Sequence, residues 1–215
     1  MTNNINYKME IPKDHVIVSK ASERIEAVAG VLIAAIAALL AIAQLIGNNV
    51  EDTRKKAELS HSEMFNWYQS KSVKQSLQEN YLETIKLISY NNSSSKTTAD
   101  SLIKKITDDI SRYKKEKKEI MIGSKNLDKK DWVQDLDGKM GVITGVKEWE
   151  KITNKLNDSE DKFDISNLFF QIALVLGAVC IIIYDNPKLQ NWLLKMMILF
   201  AIIGITFAIW GFVIS

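Results

Sequence analysis

Three apolar blocks constrain this chain more than anything else in it. They run over 27–46, 165–184 and 192–214, each close to the ~20 residues a helix needs to cross the hydrocarbon of a bilayer. Apart from Lys195, which sits near enough to the start of the third block to snorkel, they carry no charge. In lipid every backbone N–H and C=O must be satisfied within the segment, so each block predicts a helix. The order is a polar segment over 1–26, a first span over 27–47, a polar middle over 48–164, a second span over 165–184, a short loop over 185–191 and a last span over 192–214. The expected class is an all-α membrane protein, with three transmembrane helices and a helical, coiled-coil-like soluble middle.

The first 26 residues mix Lys8, Glu10, Lys13, Asp14, Lys20, Glu23, Arg24 and Glu26. That is too long and too mixed in sign for the n-region of a signal peptide, so the first span is expected to stay. Asp185-Asn186-Pro187-Lys188 is a turn cluster that makes spans two and three a tight hairpin. Tyr184 and Trp192 stand where interfacial aromatics belong. Lys and Arg are nearly balanced on the two sides. Because long loops count less in the positive-inside rule, the balance weighs towards a cytoplasmic N-terminus. The single cysteine, Cys180, lies inside an apolar run, where it reads as a small hydrophobe.

On a helical wheel, Ala27, Gly30, Ala34, Ala37, Ala38 and Ala41 share one side of the first span, and Gln44 borders it. Gly30-x-x-x-Ala34-x-x-x-Ala38 is a small-xxx-small ladder that lets helix backbones approach closely. Two uses are open: packing of span one on the hairpin of the same chain, or self-association and the lining of a pore. An amide at the depth of Gln44 wants a hydrogen-bond partner or water.

In the middle, Val73, Leu77, Tyr81, Ile85 and Ile88 are spaced by four, four, four and three, one face of a helix. Ala57, Met64, Phe65, Trp67 and Tyr68 add a bulkier apolar patch. If Gly47 does not break it, this helix continues span one. Asn91-Asn92-Ser93-Ser94-Ser95 is a loop. A second helix carries Ile103, Ile106, Ile110, Tyr113 and Ile120, with Lys117 in one slot of the seam. Residues 123–141 read as a loop or broken turn. A third helix starts at Val142, shows Val146, Trp149, Ile152, Leu156 and Phe163, and feeds span two. Narrow seams on long helices need partners, and homo-oligomerisation supplies them.

Sites of chemistry are scarce. Glu58-x-x-His61 has di-iron spacing but no second copy, and His15 is the only other histidine. Asp135-x-Asp137-Gly138 matches part of a calcium loop, but Val133 stands at its first ligand position. Ser101-x-x-Lys104 and Ser111-x-x-Lys114 match a serine–lysine pattern by composition alone. No metal, cofactor or enzymatic activity is expected. The second helix concentrates Lys104, Lys105, Arg112, Lys114, Lys115, Lys117 and Lys118. These form either a solvated face laced with acids or a surface for a polyanion or nucleotide.

Asn66-Trp67-Tyr68-Gln69-Ser70-Lys71-Ser72-Val73-Lys74 resembles the W-x-Y-Q-x-K-S-I-K signature of a family of bacterial inner-membrane proteins of unknown function. Phe163-Asp164, the run Phe170-Gln171-Ile172-Ala173-Leu174-Val175-Leu176, and a Trp-led last span containing Gly204 and Gly211 resemble the same family. The likeness departs in the first 26 residues, across 91–131, and at a hairpin loop less basic than is usual there. It implies an alanine-rich span, a C-terminal transmembrane hairpin and an inner-membrane location, with no activity attached. Physically, Trp67, Tyr68, Gln69 and Lys71 read as a packing motif between copies, the aromatics against a neighbouring helix and the polar groups bonding around them.

The function these features lead us to expect is a homo-oligomeric pore or membrane effector gated through its helical middle. Its partners would be its own copies, the bilayer and a polyanionic or nucleotide ligand. Small bacterial multi-span proteins of this build can serve in stress or antiphage defence. The alternative is a membrane-anchored scaffold without transport.

Overall fold

The computed structural model describes residues 20–91, 96–183 and 186–215. Most of the N-terminal segment, including His15, lies outside them, as do the loop residues 92–95, Tyr184 and Asp185. The described residues are almost all helical, the main exception being one short excursion over 123–145. Helix α1 is Lys20–Asn91 and α2 is Lys96–Ile122. Two 3-10 turns (Ser124–Asn126 and Lys129–Asp131) and a two-stranded hairpin, β1 Asp135–Leu136 and β2 Lys139–Met140, follow. Helix α3 is Val146–Ile182 and α4 is Pro187–Ile214. Three of the four, α1, α3 and α4, contain a stretch long and apolar enough to cross a membrane.

Helix α1 passes Gly47 without a break, because no proline follows and glycine costs a helix only about 1 kcal/mol. Helix α3 likewise joins the last part of the middle to span two. At the start of α4, the Asn186 side chain accepts the Leu189 N–H at 3.2 Å. Pro187 occupies the first helical position, where its missing N–H costs nothing.

Two compact units divide the chain. The first holds the described part of Met1–Ala43 together with Ile165–Thr206. Its core joins Ile36, Ala43, Phe170, Ala173, Met197 and Ala201, with a second cluster of Ala29, Cys180 and Leu193. Helices α3 and α4 approach closely here. The Ser166 hydroxyl donates to the Gly204 carbonyl at 2.8 Å, and a Cβ on Gly204 would sit 3.0 Å from the Phe170 ring. A Cβ on Gly177 would sit 2.6 Å from Ile33 and 2.7 Å from the Met197 sulfur. Large side chains thus fill the space that glycines leave, and the serine hydroxyl is spent on backbone.

Farther along the same hairpin, Gln190 is fully buried. Its amide donates to the Cys180 carbonyl at 3.3 Å and accepts the Ser22 hydroxyl at 2.7 Å. Each step of seven along α3, from Ser166 to Ala173 to Cys180, is matched by an opposite step of seven on α4, from Gly204 to Met197 to Gln190.

The second unit holds Gln44–Asp164 and Phe207–Ser215. The same step governs it: the Ser159 hydroxyl donates to the Gly211 carbonyl at 2.8 Å, and Gly211 lies against Phe163. One cluster unites Val50, Ala57, Leu156 and Phe163, and another Ile85, Ile106 and Ile110. The α2 face expected from its spacing is the buried one, with Ile106, Ile110 and Ile120 inside.

Two expectations are corrected here. On α1, Val73, Leu77, Tyr81 and Ile88 are each more than half exposed, and of that stripe only Ile85 is buried. The side turned to α2 is rotated away from that stripe and meets it only at Ile85, running through Tyr68, Lys71, Gln75, Leu82 and Ile85. Polar bonds hold most of it. The third helix begins at Val146, four residues later than expected. The Glu148 carboxylate accepts the Gly145 N–H at 2.9 Å, half of a capping box that fixes the start. Val142 and Ile143 instead belong to the loop, where Ser124 N–H donates to the Ile143 carbonyl at 2.9 Å.

Candidate functional site

The small-residue ladder lies on the membrane-spanning part of α1. Ala27, Ala34, Ala37, Ala38, Ala41 and Gln44 are all exposed, and a Cβ on Gly30 would meet nothing within 4 Å. The helix packs inside its own chain through the other face, with Ala29, Ile36 and Ala43 buried. Of the two uses, packing on the chain's own hairpin is therefore not the one taken. Among the described residues nothing covers the ladder.

The segment Trp67-Tyr68-Gln69-Ser70-Lys71 is engaged inside the chain. The Lys71 ammonium pairs with Glu116 at 2.6 Å and lies 5.9 Å from the Tyr113 ring centroid. Lys117 donates to the Ser72 hydroxyl at 3.2 Å and to the Gln75 carbonyl at 3.1 Å, and sits 5.3 Å from the Tyr68 centroid. The neighbouring helix that Tyr68 and Lys71 were expected to find on another copy is α2 of the same chain. Gln69 is exposed. Trp67 lines a cavity of about 270 Å³ with Met64, Leu136, Val142 and Trp149.

The seven cations of α2 do not act as one patch. Arg112 pairs with Asp109 at 3.0 Å and Glu116 at 3.5 Å, and lies 5.2 Å from the Tyr113 centroid. Its pKa is raised, first by Tyr113. Lys104, Lys105 and Lys115 are exposed away from any described cavity. Lys114, Lys117 and Lys118 converge on a single cavity of about 330 Å³, together with Tyr68, Gln75, Met121 and Ile122.

A buried carboxylate escaped sequence reasoning. Glu119 is fully buried. It accepts the N–H groups of Val133 and Gln134 at 2.8 Å each, and the Ser124 hydroxyl at 2.7 Å. The same Ser124 oxygen accepts the Ile143 N–H at 3.1 Å, and its carbonyl takes the Trp132 indole N–H at 2.9 Å. Charge-assisted bonds to backbone are the strong kind, and here they turn a loop into a folded module. Asp135-x-Asp137-Gly138 is its hairpin tip. Asp137 and Gly138 have φ of 52° and 77°, the two left-handed residues of a tight hairpin turn, and Asp135 accepts the Gly138 N–H at 2.6 Å. The signal lay in Gly123-Ser124, which begins four residues after Glu119, an acid that looked like any other of a charged helix.

A second charged cluster joins α1 to α3. Arg54 bonds Glu160 and, at 2.5 Å, Glu58. Those carboxylates, Glu160 foremost, hold its guanidinium pKa above the usual value. Asp164 is pushed up, chiefly by burial, then by Glu160, Asp161 and Glu51.

A family model described as "Domain of unknown function (DUF4337)" matches residues 25–214, and the chain belongs to that family. No curated protein and no solved structure matches it.

Proposed function

We propose, taking this family membership as the premise, that the protein is a homo-oligomeric pore of the bacterial inner membrane, with α1 at the subunit contact. One observation carries the reading: the small-residue face of α1 is left bare by the chain's own packing, and Gln44 stands exposed beside it. Helices associate in lipid through close backbone approach and interhelical amide bonds, and a second copy supplies both. A ring of such faces presents small side chains and amides to a central path, which water and ions need. The helical middle is the gate in this reading, no catalytic step is involved, and the N-terminus is cytoplasmic. A membrane effector in stress or antiphage defence would have this build.

The test is ion flux through liposomes holding the purified chain, with its oligomeric state measured on the same sample. Flux from a defined oligomer that changes at least several-fold in Gln44→Leu supports the pore. A monomer, or flux indifferent to both Gln44→Leu and Ala34→Leu, overturns it.

A second reading, an assembly scaffold without transport, is favoured by the exposed stripe Val73, Leu77, Tyr81 and Ile88. If Val73→Ser and Leu77→Ser dissolve the oligomer while the α1 ladder variants leave it whole, the scaffold replaces the pore.

A further inference from the structure

Several cations among the described residues are paired with acids. Lys71 has Glu116 at 2.6 Å, Lys55 has Glu51 at 2.5 Å, and Arg112 has Asp109 at 3.0 Å. The cavity between α1 and α2 instead gathers cations on one concavity. Seven residues line it, three of them lysines and none an acid.

Lys117 is half-buried, yet the partners the structure gives it are neutral: the Ser72 hydroxyl, the Gln75 carbonyl and the face of Tyr68. An ammonium has three N–H donors, and those bonds use two. Lys118 has no carboxylate within ion-pair distance among the described residues. Lys114 has only Glu79, at 3.9 Å, and that carboxylate also accepts the Gln75 amide at 2.8 Å. Removing an ammonium from bulk water without a counter-charge is costly. Lys117 is in that position, and the exposed Lys114 and Lys118 add their charge to the same concavity, so an anion there lowers the energy.

We infer that this cavity binds a phosphate ester, its phosphate held by Lys114, Lys117 and Lys118 and its organic part resting on Tyr68, Met121 and Ile122. Phosphate fits better than carboxylate because it brings about −1.5 to −2 charges and three acceptor oxygens to three donors. Lysine serves such a group as a point charge. A volume of about 330 Å³ is at the lower end of the range for small-molecule sites. The Lys117–Gln75–Glu79 relay holds the central ammonium in place before anything binds. This inference goes beyond the pore reading and does not rest on it, since binding is measured without flux.

The full chain in phosphatidylcholine nanodiscs is titrated calorimetrically with adenosine 5′-monophosphate and with glycerol 3-phosphate. In parallel, native mass spectrometry counts phosphatidylglycerol retained against phosphatidylcholine. Saturable binding of either soluble ester identifies a soluble ligand, and retention of phosphatidylglycerol alone identifies a lipid headgroup. In both cases Lys118→Ala and Lys114→Ala should weaken binding at least tenfold. These side chains are exposed, so the fold survives their loss, which circular dichroism checks. Lys104→Ala and Lys105→Ala remove the same charge from α2 outside the cavity and should change binding less than twofold. No binding of any probe at millimolar concentration overturns the inference. So does equal weakening by all four variants, which would mark a diffuse field with no site.

Discussion

The α3–α4 contact of the first unit and the α1–α2 contact of the second use the same seven-residue step with opposite chemistry. Between α3 and α4 the interface is glycine against phenylalanine, with serine bonded to a carbonyl. Between α1 and α2 it is Tyr68, Lys71 and Gln75 against Tyr113, Glu116 and Lys117. The difference follows from the solvent each sequence is built for. In hydrocarbon a lone polar side chain has no water to fall back on, so hydroxyls are turned onto backbone and association rests on close fit. In water a charged pair can be half-buried, because the unpaired alternative is also solvated, and the pair fixes register more than it adds stability. Periodicity alone does not tell the two apart.

The largest effect should come from the soluble seam. Lys71→Met strands Glu116, which is buried, with only the Arg112 contact at 3.5 Å left. Loss of one member of a buried pair costs about 3 kcal/mol, read as a fall in the denaturation midpoint. Lys71→Met combined with Glu116→Leu should recover most of that loss. If the double variant is as weak as the single one, the seam does not tolerate the chemistry of the membrane contact, and the two regions differ by more than their solvent.

Next comes Gly177→Leu, which drives side-chain atoms into Ile33 and Met197 and should cost about 1–3 kcal/mol by overpacking. Unfolding in detergent measures it. Gly30→Leu, facing open space, should leave that midpoint unchanged and alter only the oligomer.

A smaller effect belongs to Ser166→Ala. The hydroxyl bond to Gly204 should be worth about 0.6 kcal/mol, the average for such bonds between membrane helices. A loss several times larger would mean that the serine shapes the hairpin as well as bonding it.

The smallest concerns pH. The Asp164 pKa is raised in the folded chain, so the fold prefers the protonated acid. The ionised form opposes folding fully above the raised value. That opposition fades as pH falls and is gone below the ordinary 3.8. Asp164→Asn should therefore raise the midpoint slightly at pH 7, and the gain should close on acidification. A gain that persists at pH 3 would assign it to something other than ionisation.

The three spans were legible because hydropathy needs no partner to be read. The α2 seam was legible too, since its isoleucines outnumber its one lysine. The inner face of α1 was not. There, Val73, Leu77 and Tyr81 make a better apolar stripe than Tyr68, Lys71 and Gln75, and only Glu116 and Lys117 on the partner helix decide the matter. Glu119 was hidden for a related reason: a carboxylate whose donors are backbone N–H groups leaves no complementary residue to find. At the site, the sequence named the cations but could not tell that Arg112 is consumed by acids while Lys114, Lys117 and Lys118 gather on one cavity.

The α3–α4 hairpin also sets a puzzle in register. Its layers repeat, serine to glycine and phenylalanine to glycine, so a slide of seven residues would bring like rungs back into line. What makes one alignment unique is the part that does not repeat: Ala173 with Met197, and then Gln190, clasped by Cys180 and Ser22, beside the Asn186-Pro187 start of α4. The hairpin works like a ladder with interchangeable rungs and a single keyed latch. Without the latch, the two helices would remain associated but lose their common origin.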